Sequence, residues 1–159
     1  ILNALIKRQT DDIFLSAKKI ADDKSIPVKE RMIRTILALH VDTEQMVEQT
    51  MMEQLHKPQN TLMHEKTKKI IFQEVPPILA DIVTEGVQQG IFDTAYPLEG
   101  MEMALCYLDV MLDDNVFELK QPQRQDKIQA FIYYLERLLG VGEGELAAFE
   151  EAFTGRQGE

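Results

Sequence analysis

Apolar residues recur every three or four positions along almost the whole chain, and no alternating strand pattern persists. This spacing predicts an all-α fold, an antiparallel bundle of about six long helices with a short last helix. The first predicted helix ends at about Ala21, and the second has Ser25 as its cap, Pro27 in its first turn and apolar residues through Leu39. The others run from Asp42 or Thr43 to Pro58, from Asn60 or Thr61 to near Gly90, from Pro97 to Asp114, from Pro122 to Leu139 and from Leu146 to Phe153. Residues 154–159 are expected to form a flexible tail.

Two adjacent prolines, Pro76 and Pro77, lie inside the fourth predicted helix. Proline lacks the backbone N–H that would continue the helical hydrogen bonds, and its ring crowds the preceding turn. We therefore expect a kink or a restart of the helix at this point.

The segment 78–101 carries the clearest stop and start signals of the chain. Gly90 follows the last apolar repeat, where a helix end favours a residue with positive φ. Ile91 and Phe92 can fold back on the last helical turn. Pro97 suits the first turn of the next helix, where its missing N–H is not needed.

The fifth and sixth predicted helices are apolar over more than one stripe. A surface helix of a monomer needs only one such face, so the surplus indicates either a central position or burial against a second copy. A monomer with these helices inside remains the alternative. The candidates for a dimer interface are Leu98, Met101, Leu105, Leu108, Leu112, Ile128, Ile132, Leu135 and Leu139.

Composition narrows the classes of function. The 159 residues suit one domain, and a net charge of −10 makes the chain itself a poor partner for nucleic acid. The single cysteine, Cys106, excludes an internal disulfide. No apolar run is long enough to span a bilayer, so we expect a cytoplasmic protein with no membrane partner.

Catalytic and metal-binding patterns are weak. Glu53 and His56 form one E-x-x-H pair, but a di-iron bundle needs two such pairs and further glutamates. The glycine-rich run 140–145 follows a helix rather than a strand, and its glutamates would repel phosphate. The sequence therefore predicts no enzyme, no metal site and no cofactor.

The pattern of Gly86, Gly90, Phe92 and Pro97 resembles the TetR family of bacterial transcriptional regulators, where a glycine-ended helix precedes a proline-led dimerisation helix. The resemblance implies an effector-binding and dimerisation domain over residues 1–153. Residues 1–96 would sense a ligand and residues 97–139 would form a homodimer. In that family, operator DNA is bound by an N-terminal helix-turn-helix, which this chain does not contain.

The same resemblance implies an internal site for a small apolar ligand. The residues proposed to line it are Phe14, Met32, Ile36, His40, Met52, Phe72 and Tyr107. Ordinary core filling is the competing interpretation of the methionines. Two other classes stay open at this point: a helical protein–protein interaction module without a ligand cavity, and an iron- or haem-binding bundle.

Overall fold

The computed structural model describes residues 2–39, 59–111 and 117–154 of the chain, which form helices and no strand. The helices are α1 (Leu2–Ala21), α2 (28–39), α3 (Gln59–Gln88), α4 (Pro97–Met111), α5 (Gln121–Leu138) and α6 (Ala148–Thr154). The all-α fold class is therefore confirmed. The third predicted helix, 43–58, lies outside the described residues, as do the end of the fifth at Asp114 and residues 155–159.

Helix α3 passes through Pro76 and Pro77 without interruption. The expectation of a restart at this point is therefore wrong, and a kink within the continuous helix stays a prediction. Val75 and Leu79 are completely buried on either side of the prolines. Their packing holds the helix together where hydrogen bonds to the prolines are missing, because tertiary burial contributes more to helix stability than local propensity does.

The chain divides into two compact units, an N-terminal unit of residues 1–79 and a C-terminal unit of residues 80–159. In the N-terminal unit, every third or fourth residue of α1 is buried, as a helix with one packed face requires. Residues buried in this unit include Ile6, Thr10, Ile13, Ala17 and Ala21 of α1, and Val28, Met32, Ile36 and Leu39 of α2.

Side-chain hydrogen bonds shape the turn between α1 and α2. The Asp23 carboxylate accepts hydrogen bonds from the backbone N–H of Ser25 at 3.0 Å and from its hydroxyl at 2.6 Å. Arg31, which is only 2% exposed, donates from Nε and Nη2 to the backbone carbonyl of Ile26 at 3.2 and 2.8 Å. A charged donor thus satisfies the turn carbonyl from within the next helix.

The C-terminal unit has an aromatic and aliphatic interior. Phe131 of α5 stacks on Tyr107 of α4, with ring centroids 5.9 Å apart, and meets Phe149 of α6 edge to face at 6.2 Å. Such offset and edge-to-face contacts stabilise aromatic pairs beyond their buried area. The other buried apolar residues of this unit include Met101, Ile128, Ile132, Leu135, Leu139 and Leu146.

Candidate ligand-binding and association surfaces

The connection between α3 and α4 begins with a glycine-ended helix terminus. Gly90 has a φ of 74°, and its N–H donates to the carbonyl of Val87 at 3.0 Å. The N–H of Ile91 donates to the carbonyl of Gly86 at 2.8 Å. This is the Schellman arrangement, in which the last helical carbonyls are satisfied by the residues that leave the helix. The positive φ predicted for Gly90 is confirmed.

Phe92 folds back over the last turn of α3, as the sequence predicts, and is 3% exposed. Its ring lies directly on Gly86, where an added Cβ would be 2.2 Å from Cδ2 of the phenylalanine. Gly86 is therefore required for space rather than for backbone conformation. Helix α4 then begins at Pro97, as predicted, and the N–H of Gly100 donates to the carbonyl of Tyr96 at 3.0 Å.

The same connection is fixed to the end of α5. The N–H of Asp93 donates to the carbonyl of Leu139 at 2.8 Å. Gly140 has a φ of 65°, and a Cβ there would lie 2.7 Å from the carbonyl oxygen of Asp93. The connection and the end of α5 thus approach each other so closely that only glycine fits between them.

Helices α4 and α5 also approach closely at one position. A Cβ added to Gly100 of α4 would lie 2.5 Å from Cδ2 of Leu138 on α5. The missing side chain of Gly100 lets Leu138 lie against the backbone of α4. The connection between α3 and α4 and the end of α5 therefore form one closely packed region of the C-terminal unit.

A buried glutamate organises the loop after α5. Glu136 is 2% exposed, and its carboxylate accepts a hydrogen bond from the N–H of Leu146 at 3.0 Å. Its backbone carbonyl accepts from Val141 at 3.0 Å. This role was not predicted, although a glutamate between the core residue Leu135 and the apolar end of α5 signals an internal polar partner.

Most residues predicted for the dimer interface are packed inside the chain itself. Met101, Ile128, Ile132, Leu135 and Leu139 are buried in the C-terminal unit. Leu105 and Leu108 are half-buried, Leu98 is 37% exposed, and Leu112 lies outside the described residues. Contacts of these residues with a second copy stay a prediction, but the buried five are already used within one chain.

Other apolar side chains of α4 and α5 are exposed. Met103 is 67% exposed and Val110, two turns later on the same side of α4, is 43% exposed. On α5, Tyr133 and Tyr134 are 41% and 67% exposed. We call Met103, Val110, Tyr133 and Tyr134 the exposed apolar residues of α4 and α5. The free thiol Cys106, three residues after Met103, is also exposed.

The tyrosines of α5 are held in a defined arrangement. The guanidinium carbon of Arg137 lies 3.3 Å from the ring centroid of Tyr133, and Nη1 donates to the carbonyl of that tyrosine at 3.3 Å. The rings of Tyr133 and Tyr134 meet edge to face with centroids 5.1 Å apart. A cation over an aromatic face restrains the ring, so this aromatic pair is prearranged for contact.

The predicted ligand-lining residues are distributed over both units. Met32 and Ile36 are buried in the N-terminal unit, where Phe14 and Phe72 are half-buried. Tyr107 belongs to the C-terminal unit and stacks on Phe131. His40 and Met52 lie outside the described residues. The ligand-lining role of all these residues stays a prediction.

The N-terminal unit also buries polar groups that the sequence analysis missed. The residues concerned are Thr10, Arg31, Thr35 and Thr67. The hydroxyl of Thr35 and the side-chain carbonyl oxygen of Gln9 are buried and have no hydrogen-bond partner among the described residues. A polar residue among the core positions Met32, Ile36 and Leu39 is the signal that points to Thr35.

Within the described ranges, no group of histidine, cysteine, aspartate and glutamate side chains is arranged to hold a metal ion. The pair Glu53 and His56 lies outside those ranges. Of the helices that the structure describes, none is both long and apolar enough to cross a membrane.

Together these features define an all-helical domain in which a glycine-ended helix and a proline-led helix are joined by a fixed connection. Residues 43–133 match the protein family described as the tetracyclin repressor-like, C-terminal domain. The match covers more than half of the chain and includes the whole connection. The chain therefore belongs to this family of regulator domains. No curated protein matches the sequence.

Proposed function

We propose that this chain is the ligand-sensing and dimerisation domain of a TetR-type transcriptional regulator. The family match over residues 43–133 is the observation that carries the proposal. In this proposal the intact regulator binds operator DNA through an N-terminal helix-turn-helix. The net charge of −10 agrees with DNA binding by a separate module, because a surface as acidic as that of this chain is repelled by the phosphate backbone.

The exposed apolar residues of α4 and α5 support the dimerisation half of the proposal. Two copies related by a two-fold axis would bury them in a four-helix interface, to which both copies contribute the same surface. Met103 and Tyr134 are each 67% exposed, more than the other two exposed apolar residues. They are therefore the best positions at which to test the interface.

Sedimentation velocity at micromolar concentration tests this interface. We expect a dimer for the unaltered chain and a monomer for Met103→Glu, because the new charge would be buried against the partner. Gln125→Glu is the matched control. It adds the same charge to an exposed site nine residues, or about two and a half turns, from Tyr134, on the opposite side of α5. A monomeric unaltered chain, or a variant that stays dimeric, contradicts the interface.

Cys106 provides a second measurement of the same surface. In an interface built on Met103 and Val110, the exposed thiol is close to the partner. A short bis-maleimide is then expected to cross-link the unaltered chain into covalent dimers, and Met103→Glu is expected to lose the product. Cross-linking that persists in Met103→Glu would show that another surface brings the thiols together.

The sensing half of the proposal is a shift between conformations. A ligand that binds one arrangement of α1 and the first part of α3 more tightly than another favours that arrangement. In the N-terminal unit these helices are linked by a hydrogen bond from Lys66 to the side chain of Asn3 at 2.9 Å. In the intact regulator, such a shift would change the spacing of the two DNA-binding modules and thereby operator affinity.

Binding of an apolar fluorescent dye, Nile red, tests the sensing half. We expect saturable fluorescence enhancement at one site per chain, together with a higher midpoint of thermal unfolding, since a ligand stabilises the state that it binds. Met103→Glu controls for dye held at the exposed apolar residues, and it should leave the enhancement unchanged. No saturable binding would favour a protein–protein interaction module without a ligand site.

A further inference from the structure

Two oxygen atoms in the N-terminal unit stand out because they are buried without a hydrogen bond. Thr35 of α2 is completely buried, and its Oγ1 has no partner among the described residues. The side-chain carbonyl oxygen of Gln9 on α1 is also buried and has no partner among the described residues. Buried polar atoms of native proteins nearly always have a partner, so both need an explanation.

A second buried threonine in the same unit shows that a helical position does not by itself leave a threonine hydroxyl without a hydrogen bond. Thr10 of α1 is also buried, at 2% exposure, and its hydroxyl donates to the carbonyl of Ile6 at 2.9 Å, one turn earlier. This bond to a preceding carbonyl is the ordinary way for a helical threonine to satisfy its hydroxyl. Thr35 leaves its hydroxyl available.

We infer that Thr35 is a polar anchor for the ligand of this domain and that Gln9 supplies a second hydrogen-bonding group. This inference rests on the proposed ligand-binding function and specifies the chemistry of the ligand. The oxygen of the Gln9 amide only accepts hydrogen bonds, whereas the Thr35 hydroxyl donates or accepts.

The ligand that fits these groups is an uncharged, largely apolar molecule that carries a hydroxyl or N–H group. Two buried polar residues near these positions, Thr10 and Arg31, donate to the backbone carbonyls of Ile6 and Ile26. The other buried side chains beside Gln9 and Thr35 are apolar, among them Ile13 on α1 and Met32 and Ile36 on α2. They suit a hydrocarbon body. A hydrogen-bond donor on the ligand satisfies Gln9, and an alcohol can also exchange a hydrogen bond with Thr35.

Two matched pairs of probes test the chemistry: 2-naphthol against naphthalene, and 1-decanol against decane. Each pair differs by one hydroxyl group, and the use of two shapes covers aromatic and aliphatic bodies. With the 159-residue chain, we expect the alcohol of at least one pair to bind about tenfold more tightly than its hydrocarbon, as one satisfied buried hydrogen bond implies.

The variant Thr35→Val replaces the hydroxyl with a methyl group of similar size. We expect it to reduce the preference for the alcohol, of which only the part due to Gln9 remains. In the free chain it should raise the midpoint of thermal unfolding by about 2–4 °C, because a buried polar atom without a partner has been removed. Thr10→Val is the matched control: it removes a hydroxyl that is already bonded, so the preference should remain and the midpoint should not rise.

The outcomes separate this inference from the function on which it rests. Equal binding of alcohol and hydrocarbon, or an alcohol preference that Thr35→Val leaves undiminished, overturns the polar anchor and leaves the ligand-binding function intact. A lower unfolding midpoint for Thr35→Val also overturns it, since the hydroxyl would then already be stabilising the free chain. Failure of all four probes to bind overturns the ligand-binding function and the anchor together.

Discussion

Residues 1–79 contain no glycine, whereas residues 80–159 contain all eight glycines of the chain. The two compact units accordingly shape their turns in different ways. The C-terminal unit ends α3 and α5 at Gly90 and Gly140, with backbone conformations that favour glycine. The N-terminal unit shapes the turn between α1 and α2 with hydrogen bonds that the Asp23 carboxylate accepts and the Arg31 guanidinium donates.

The interiors of the two units also differ in how far they use backbone contacts and polar side chains. Phe131 and Phe149 fill the C-terminal unit together with aliphatic side chains, and backbone approaches at glycine fix its helices. The N-terminal unit buries a hydroxyl and an amide oxygen that have no partner among the described residues. This difference places the close backbone contacts at glycine in one unit and the two unpartnered buried oxygens in the other. It agrees with our proposal of an associating C-terminal half and a sensing N-terminal half.

The largest expected effect comes from breaking a glycine contact in the C-terminal unit. Gly140→Ala should lower the free energy of unfolding by about 3 kcal/mol, since it combines an unfavourable positive φ with a clash. The new Cβ would lie 2.7 Å from the backbone oxygen of Asp93, which cannot rotate away like a side chain. Urea unfolding, monitored by circular dichroism, measures the change.

Gly90→Ala separates the two contributions. Gly90 has nearly the same φ, 74° against 65° for Gly140, but nothing lies within 4 Å of an added Cβ. Only the conformational cost remains, about 1 kcal/mol. Equal losses in the two variants would show that the approach of Asp93 to Gly140 contributes nothing to stability.

These two glycines also show how far the sequence leads. The all-α fold and the stop at Gly90 follow from apolar spacing and from the conformational freedom of glycine, so both could be predicted. The close contact at Gly140 joins residues 47 positions apart. Helical spacing carries no information about such distant partners, so the sequence places this glycine only in the glycine-rich run that follows a helix.

The same limit explains the predicted dimer residues. Periodicity shows that Ile128, Ile132 and Leu135 share one stripe, but it does not show whether that stripe meets another helix of the chain or a second copy. The fold answers this question, because α6 and α4 pack on α5 and these residues are buried within one chain. The buried hydroxyl of Thr35 was not predicted, because a single polar residue barely changes an apolar pattern.

A smaller effect is expected from the side-chain hydrogen bonds of the N-terminal unit. Arg31→Met keeps the apolar stem but removes the donors that reach the carbonyl of Ile26. We expect the free energy of unfolding to fall by about 2 kcal/mol, the scale of a hydrogen bond from a charged group. Urea unfolding provides the measurement, with an unchanged dependence on urea concentration as evidence that the fold is retained.

Arg34→Met is the matched control on the same helix. The Arg34 side chain is 54% exposed and pairs with Glu30 one turn earlier. An exposed pair of this kind contributes about 0.3–0.5 kcal/mol. If both arginine variants lose equally little, the turn between α1 and α2 does not depend on Arg31, and the contrast between the two units is weaker than the hydrogen bonds indicate.

The smallest expected effect is the pH dependence contributed by Asp23. Two hydrogen bonds from Ser25 hold the pKa of the Asp23 carboxyl below its ordinary value of 3.8. The bond from the hydroxyl has the larger effect and the bond from the backbone N–H the smaller one. Because the folded pKa lies below that of the unfolded chain, the carboxylate stabilises the fold above about pH 4. This contribution is lost as the pH falls through the folded pKa.

Titration of the Asp23 carboxyl by NMR measures this shift directly. Ser25→Ala removes the hydroxyl donor and keeps the backbone N–H, so we expect the pKa of Asp23 to rise part of the way towards 3.8. Asp23→Asn should remove the corresponding part of the acid sensitivity of unfolding. A pKa in Ser25→Ala equal to that of the unaltered chain would assign the shift to the backbone bond instead. The turn of the N-terminal unit would then depend on backbone geometry, as the turns of the C-terminal unit do.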